Sequence, residues 1–272
     1  MAYLISEKLL KKYEENFILK LKIRYWRFFS KFRKFVRFLK RPLYNKIYLN
    51  NINFKIEVIN KKNFLDNSIF YEKNNYCFVE NILDEIFHSN LLKNFPPKEF
   101  FLPAKNLNKQ YNFGFKWLYD KHEGDLKTDY FIEVNHFFKV LKSDYFLNLL
   151  NLFVNDGRSR LLYSFNLTLA NKGAILIPHK DSITNYDENT TLNKKETALN
   201  MIFFIKGKKN SDGNIGGTGI YSDNEFKRPI FVPRNLNNSL LIYRSDANFF
   251  HGFDEMEKDS ERFTVNAQFA KV

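Results

Sequence analysis

Residues 175–182 read ILIPHKDS, residues 248–253 read NFFHGF and residues 261–269 read ERFTVNAQF. The first stretch is aliphatic enough to form a β-strand, and in a strand the side chains of His179 and Asp181, two residues apart, leave the same face. His251 lies at or near the end of a second predicted strand, SLLIYRSDANFF. Two imidazoles and one carboxylate form a three-point clamp that holds iron(II) and leaves coordination positions open. These stretches therefore predict a metal site on β-strands, with His179, Asp181 and His251 as ligands.

Arg262 follows His251 after the polar segment DEMEKDSE. If this segment closes an antiparallel hairpin, Arg262 returns to the neighbourhood of His251. An arginine can hold the carboxylate of an organic acid in a bidentate grip. Thr264, two residues further, faces the same side and can donate its hydroxyl to the same carboxylate. The alternative is an ion pair of Arg262 with Asp254 or Glu255 across the hairpin.

The chain changes character after residue 158. Short stretches rich in aliphatic and aromatic residues, such as RLLYSFNLTLA and TALNMIFFIKG, alternate there with clusters of Asn, Gly, Asp and Lys. Many short strands separated by turn signals predict a β-sandwich or barrel. Before residue 158, helical periods over 82–92 and 135–155 predict two helices, while residues 46–72 could hold one or two strands.

Composition restricts the class of protein. The chain has 272 residues, of which 44% are hydrophobic, which is ample for a packed core and argues against general disorder. Its single cysteine, Cys77, excludes an intramolecular disulfide framework and suits a reducing compartment. We find no secretory signal and no apolar run long enough to span a membrane, so we expect a cytoplasmic protein that can be peripheral to a membrane.

The net charge of +13 is concentrated near the N-terminus, because residues 20–41 contain ten lysines and arginines and no acidic residue. Residues 4–41 read as a helix with an aromatic and aliphatic stripe flanked by these cations. The stripe can pack on the rest of the protein while the cations face solvent. Alternatively, residues 20–41 can lie on an anionic membrane surface, or bind nucleic acid or a protein partner.

The constellation over residues 76–272 resembles the iron(II)- and 2-oxoglutarate-dependent dioxygenase superfamily, and within it the prolyl-4-hydroxylase-like branch. The resemblance rests on PHKD, LNMIFFI, GGTGIY, SLLIYRSDANFFHGF and RFTVNAQF. It implies a double-stranded β-helix, a relative of the jelly roll and cupin folds. It also implies that His179, Asp181 and His251 ligate Fe(II), and that Arg262, with Thr264, binds the far carboxylate of 2-oxoglutarate. Ascorbate can help to keep the iron reduced, as in that family.

The resemblance leads to a division of the chain into two parts. Residues 1–45 are predicted to form a basic amphipathic helical extension. Residues 46–272 are predicted to form the dioxygenase domain, of mainly β structure with flanking helices (α+β). Within that domain, helices and strands over residues 46–157 precede a jelly-roll core over residues 158–272.

Three sequence details refine the resemblance. Halogenating relatives replace the carboxylate ligand by a small residue, so Asp181 favours hydroxylation. Relatives that repair nucleic acids typically carry a second arginine shortly after the first, and its absence from RFTVNAQF makes nucleic acid an improbable partner. Some prolyl hydroxylase relatives have a tyrosine that touches 2-oxoglutarate where this chain has Phe203 and Phe204. Asn200 or Tyr163 is therefore predicted to complete the co-substrate pocket.

The predicted reaction is hydroxylation of an unidentified substrate, coupled to decarboxylation of 2-oxoglutarate to succinate. The substrate can be a small molecule, a glycan or a peptide. Two other functions remain open: a non-catalytic, cupin-like protein that binds a metal or ligand, and a membrane-surface module with a degenerate oxygenase domain. In the plainest interpretation, His179 and Asp181 form a surface ion pair and His251 is simply a buried histidine.

Overall fold

The computed structural model describes residues 55–98, 101–103, 113–120, 132–180, 199–209, 215–245, 247–257 and 260–271. The predicted basic extension over residues 1–45, including its basic segment 20–41, lies outside these ranges. Asp181 also lies outside them.

The described chain begins with short helices and continues into two β-sheets. The helices are α1 (Lys61–Leu65), α2 (Ser68–Asn74), α3 (Glu85–Lys93), α4 (Ile132–Lys142) and α5 (Asp144–Val154). The first strands are β1 (Tyr76–Glu80), β2 (Leu102–Pro103), β3 (Phe113–Asp120), β4 (Arg160–Asn171), β5 (Leu176–His179) and β6 (Leu199–Lys206). The last strands are β7 (Gly219–Tyr221), β8 (Pro229–Phe231), β9 (Ser239–Arg244), β10 (Phe250–Phe253) and β11 (Glu261–Lys271).

The strands form two antiparallel sheets that face each other. The larger, here called the major sheet, has the order β1-β9-β6-β11-β4-β3-β2 among the described strands. The smaller, the minor sheet, has the order β5-β10-β7-β8. A hydrophobic cluster joins them, with Phe204 and Leu241 from the major sheet and Ile220 from the minor sheet. This arrangement agrees with the predicted mainly β domain with flanking helices.

The helices cover the outer face of the major sheet. Alternate residues of β6 and β11, such as Phe203 and Phe269, leave this face. Phe137 of α4 meets Phe203 edge to face at 4.9 Å, and Phe146 of α5 contacts Phe269 at 5.6 Å between ring centroids. The other alternate residues therefore point between the two sheets, where Arg262 and Thr264 lie.

Residues 135–155 form two helices, where the sequence predicted one. The break is at Ser143, whose hydroxyl accepts a hydrogen bond from the backbone N–H of Phe146 at 3.3 Å and donates one to the carbonyl of Val140 at 2.6 Å. Ser143 thus caps the N-terminus of α5. Serine is favoured at such positions because its oxygen satisfies a backbone donor that the helix leaves unpaired. The apolar period continues through the break and hides it.

Two other sequence predictions need correction. Residues 61–74 form helices α1 and α2, with Asn60 capping α1. The strands suggested within residues 46–72 are therefore not found among residues 55–72, the described part of that stretch. The helix predicted over residues 82–92 begins only at Glu85, because Asp84 accepts a hydrogen bond from the N–H of Phe87 and acts as its cap. Ile86, within the predicted helical period, is 74% exposed.

No helix within the described ranges is both long and apolar enough to cross a membrane.

Substitution of Ser143 by alanine tests the break between α4 and α5. We expect Ser143→Ala to lower the free energy of unfolding by about 1 kcal/mol, because the N–H of Phe146 loses its acceptor. Ser143→Asp retains an acceptor and is the matched control. Chemical denaturation measures both variants, and an alanine variant as stable as the wild type would mean that the cap contributes nothing.

Candidate active site

His179 and His251 lie side by side at one end of the minor sheet. His251 of β10 is the direct antiparallel partner of His179 of β5, and the two ring centroids are 4.4 Å apart. Each residue is only 5% exposed. His179 is therefore not part of a surface ion pair, and the strand register brings two imidazoles to one point in the interior.

The ring of His179 has a fixed orientation. Its Nδ1 lies 2.8 Å from the carbonyl oxygen of Ile177, and because a carbonyl only accepts, Nδ1 carries the hydrogen and donates it. The neutral ring then has its lone pair on Nε2. Histidines that bind metals commonly donate their other N–H to a backbone carbonyl in this way.

The two histidines therefore fit a metal such as iron(II), whose ligands include imidazole nitrogens. The third predicted ligand, Asp181, is two residues beyond His179 and outside the described residues. Within the described ranges no group of three His, Cys, Asp or Glu side chains is placed to hold a metal ion. Asp181 thus stays a prediction.

His251 and Arg262 do not share a hairpin, contrary to the sequence prediction. β10 belongs to the minor sheet, where it pairs with β5 and β7, whereas β11 belongs to the major sheet, where it pairs with β4 and β6. The segment between them passes from one sheet to the other. Arg262 returns towards His251 because the two sheets pack face to face.

The guanidinium of Arg262 contacts residues just before β7, Phe253 of the minor sheet and Phe204 of its own sheet. Its Nη1 donates to the carbonyl of Gly216 and to the hydroxyl of Thr218, the latter at 3.2 Å. Its Cζ lies 4.2 Å from the ring centroid of Phe253 and 5.8 Å from that of Phe204. The contacts with the two rings and the hydrogen bonds of Nη1 together fix the plane and the direction of the guanidinium.

Arg262 is a buried cation with no carboxylate partner among the described residues, and it forms no ion pair with Asp254 or Glu255. It is 3% exposed, and burial lowers the pKa of its guanidinium to about 9, so the group is still positively charged at pH 7. Its buried Nε has no hydrogen-bond partner within the part of the chain that the structure describes. Since burying an unpaired charge is costly, this arrangement calls for an anionic ligand.

Thr264 follows Arg262 on the inner face and is fully buried. Its hydroxyl forms a hydrogen bond with that of Thr168, its direct partner on β4. Of the two phenylalanines at the position of the relatives' tyrosine, Phe204 lies inside, beside Arg262, and Phe203 packs against the helices.

Asn200 and Tyr163 are not next to Arg262. Asn200 pairs with Gln268 on β11 and with Tyr243 on β9. At about 3.3 Å per residue, Gln268 is about 20 Å along β11 from Arg262. Tyr163 lies at a bulge in β4, between residues paired with Gln268 and Phe269. Asn200 is instead near the histidine pair, because the ring of Tyr243 contacts that of His251 at 4.7 Å.

Three residues around Arg262 were not singled out from the sequence: Thr168, Thr218 and Phe253. The glycine pair before Thr218 was the available signal. Gly216 has a φ of +79°, and a Cβ built on it would lie 2.6 Å from the sulfur of Met256. Only glycine fits there, so its carbonyl can reach Arg262.

No protein-family model matches the sequence, and a comparison with curated proteins finds no match either. Solved structures do match. A prolyl hydroxylase from Trichoplax adhaerens, in complex with a peptide fragment of the hypoxia inducible factor oxygen degradation domain, gives a TM-score of 0.54 at 11% identity, covering 77% of this chain and 88% of that one. An oxidoreductase of the 2OG-Fe(II) oxygenase family from Burkholderia pseudomallei gives 0.53 at 10% identity, covering 76% and 90%.

A third similar structure is HygX from Streptomyces hygroscopicus, with nickel, 2-oxoglutarate and hygromycin B bound. Its TM-score is 0.50 at 9% identity, and the match covers 75% of this chain and 86% of HygX. Identities this low show the fold alone. The chain has the double-stranded β-helix fold of the 2-oxoglutarate oxygenases, as the sequence predicted.

Metal titration tests the histidine pair. We expect His179→Ala and His251→Ala each to weaken Ni(II) binding by about 100-fold or more, because the loss of groups that merely orient a ligand already costs 10- to 100-fold. The same isothermal titration of Asp181→Ala tests the third predicted ligand.

His136→Ala is the matched histidine control, since the Nε2 of His136 is bonded to the carbonyl of Lys55. Undiminished Ni(II) binding by both site variants would show that the pair does not hold the metal.

Proposed function

We propose that this protein is an Fe(II)- and 2-oxoglutarate-dependent oxygenase, which hydroxylates an organic substrate and decarboxylates 2-oxoglutarate to succinate. The observation that carries the proposal is the buried guanidinium of Arg262, which has no carboxylate partner among the described residues and faces the same interior as His179 and His251. A dicarboxylate co-substrate would supply the missing charge.

The geometry of Arg262 favours a carboxylate over a spherical anion. Nη1 is occupied by Gly216 and Thr218, so the edge formed by Nε and Nη2 is the one left for a ligand. These two N–H groups point in parallel and match the two oxygens of a carboxylate. The hydroxyls of Thr264 and Thr168, on the adjacent strand positions, add polar contacts for the same group.

The distance between the two ends of the site suits a short diacid. Arg262 lies over the ring of Phe253. Phe253 is two residues from His251 in β10, so the side chains of Phe253 and His251 leave the same face about 7 Å apart. A five-carbon diacid can bridge this separation, with one carboxylate at Arg262 and the other end beside the histidines.

Iron(II), when bound by the histidines and Asp181, would supply the oxidising chemistry, and the rest of the pocket would position the reactants. The hydrogen bond from Nδ1 of His179 to the carbonyl of Ile177 would make Nε2 the atom that binds such a metal. The rings of Phe204 and Phe253 exclude water from the guanidinium, which strengthens its attraction for the carboxylate. A carboxylate at position 181 favours hydroxylation, and ascorbate is the expected reductant for the iron.

The similar structures support the cofactors more than the substrate. HygX holds nickel and 2-oxoglutarate in the same fold. The molecules bound in these structures are diverse, a peptide fragment in one and hygromycin B in another. A small molecule, a glycan and a peptide all remain candidates for this chain.

Substitution of Arg262 tests the co-substrate site separately from the metal site. We expect Arg262→Gln to weaken 2-oxoglutarate binding by about 100-fold or more, since each charged hydrogen bond contributes about 1.5–3 kcal/mol. Ni(II) binding should change by less than about twofold. Calorimetric titration of the metal-free protein with Ni(II), and then of the Ni(II)-loaded protein with 2-oxoglutarate, measures both. Equal loss of both ligands would indicate that Arg262 serves only the fold.

Turnover tests the reaction itself. We expect succinate to form when the protein is incubated in air with Fe(II), 2-oxoglutarate and ascorbate, and candidate substrates should increase its rate. His179→Ala is the background control. If 2-oxoglutarate binds but no succinate appears above this background under any condition, the protein is a non-catalytic ligand-binding relative.

A further inference from the structure

A row of uncharged polar side chains lines the inner face of the major sheet. We call it the amide wall, and it consists of Ser164 and Asn166 on β4, Asn200 on β6, and Asn266 and Gln268 on β11. Asn166 is directly opposite Asn266, and Gln268 lies between Ser164 and Asn200 as partner of both.

The amide wall continues from the site already described. Asn266 and Gln268 follow Arg262 and Thr264 at two-residue steps along β11, so all four side chains leave the same face. At its other end, Asn200 is the strand partner of Tyr243, whose ring contacts His251. The wall therefore extends beyond the dicarboxylate position, past the histidine pair.

Polar residues here are not explained by the needs of the fold. The intervening residues on the outer face, Val265, Ala267 and Phe269, are apolar and almost completely buried. Apolar residues on the inner face would pack equally well between two sheets, and hydrogen bonds among buried amides add little net stability. Departures from the local packing rule are typical of functional positions.

The hydrogen bonds of the wall leave a donor and an acceptor side by side. Nδ2 of Asn266 donates to Oδ1 of Asn166 at 2.9 Å, which leaves Oδ1 of Asn266 and Nδ2 of Asn166 without a bond among the described residues. Reversing both amide assignments leaves the same combination, with the two residues exchanged. Asn166 keeps 9% of its surface exposed, and Asn266 keeps more.

The rest of the wall is internally bonded and has no charge. Gln268 donates to Asn200 and accepts from Ser164, at 2.9 and 2.8 Å. A ligand next to the wall therefore finds one donor and one acceptor, and no group within the wall that compensates a charge.

We propose that the amide wall binds an uncharged group of the primary substrate that both donates and accepts hydrogen bonds, a carboxamide or a hydroxyl. The inference rests on the proposed oxygenase function and deepens it. Asn166 and Asn266 make the direct contacts, while Ser164, Gln268 and Asn200 hold the neighbouring part of the wall in place. Charged and purely hydrocarbon groups are discriminated against, because they would leave one of these polar atoms unsatisfied.

Thermal stability separates a binding role from a structural one. The double variant Asn166→Leu/Asn266→Leu removes both partners of one hydrogen bond and replaces them by apolar groups of similar shape. We expect its melting temperature to equal or exceed that of the wild type. A fall of more than about 5 °C would make the pair structural and overturn the proposal, because about 1 kcal/mol already shifts the melting temperature of a domain of this size by about 2–4 °C.

Asn238→Gly is the contrasting control. The side chain of Asn238 is bonded to both the N–H and the carbonyl of Leu83 at 2.9 Å, so it has a structural role. Glycine accepts its positive φ, and the substitution should therefore lower the melting temperature by removing these bonds alone.

Ligand-observed NMR with matched probes tests the chemistry of the wall. The protein is loaded with Ni(II) and 2-oxoglutarate, which allows no turnover, and is titrated with propionamide, 1,2-propanediol, propionate and propylammonium. We expect saturation transfer to propionamide or to the diol, with a loss of at least about fivefold in the double leucine variant. The preferred probe of the two identifies the carboxamide or the hydroxyl as the recognised group.

Three results would each overturn the proposal. The charged probes could give saturation-transfer signals equal to those of the neutral probes, the double variant could give the same signals as the wild type, or neither neutral probe could give a signal. Titration of the wild type with 2-oxoglutarate distinguishes this failure from that of the oxygenase proposal. If 2-oxoglutarate binds and the neutral probes do not, only the role of the amide wall is wrong.

Discussion

The buried guanidinium of Arg262 ties the two sheets together. It projects from β11 of the major sheet, bonds to Gly216 and Thr218 just before β7, and stacks on Phe253 of β10 in the minor sheet. The tie fixes the separation of the sheets at the point where the histidine pair lies. Burying a cation with no carboxylate partner among the described residues is costly. An anion bound at Arg262 would therefore stabilise the folded sandwich, since any ligand that prefers the folded state stabilises it.

The sequence predicted which side chains lie close together better than it predicted how the strands that carry them are connected. The period of two in a strand was sufficient to place Arg262 and Thr264 on one face, and the short strands after residue 158 indicated the β-sandwich. The connection after His251 was misjudged because a polar turn between two strands looks the same whether the strands pair or belong to different sheets. Only long-range pairing decides this, and β10 pairs with β5 and β7.

The neighbours of Arg262 could not be predicted for the same reason, because they too depend on long-range strand pairing. Thr168 is distant in sequence from Thr264 and becomes its neighbour only through the register of β4 against β11. Asn200 and Tyr163 are predicted to complete the co-substrate pocket, but the register places them well along the sheet from the guanidinium. The break at Ser143 was missed for a local reason, because the apolar residues of α4 and α5 keep one period across a capping serine.

The central claim is that one interior site holds a metal at the histidine pair and a dicarboxylate at Arg262. A crystal structure of the complex with Ni(II) and 2-oxoglutarate, with anomalous data collected at the nickel edge, tests it most directly. The account predicts one anomalous peak about 2.0–2.1 Å from Nε2 of His179 and within similar reach of His251, values typical of metal–imidazole bonds. It also predicts the far carboxylate of 2-oxoglutarate on the Nε and Nη2 edge of Arg262. A metal bound away from the histidines, or a dicarboxylate that does not reach Arg262, would contradict it.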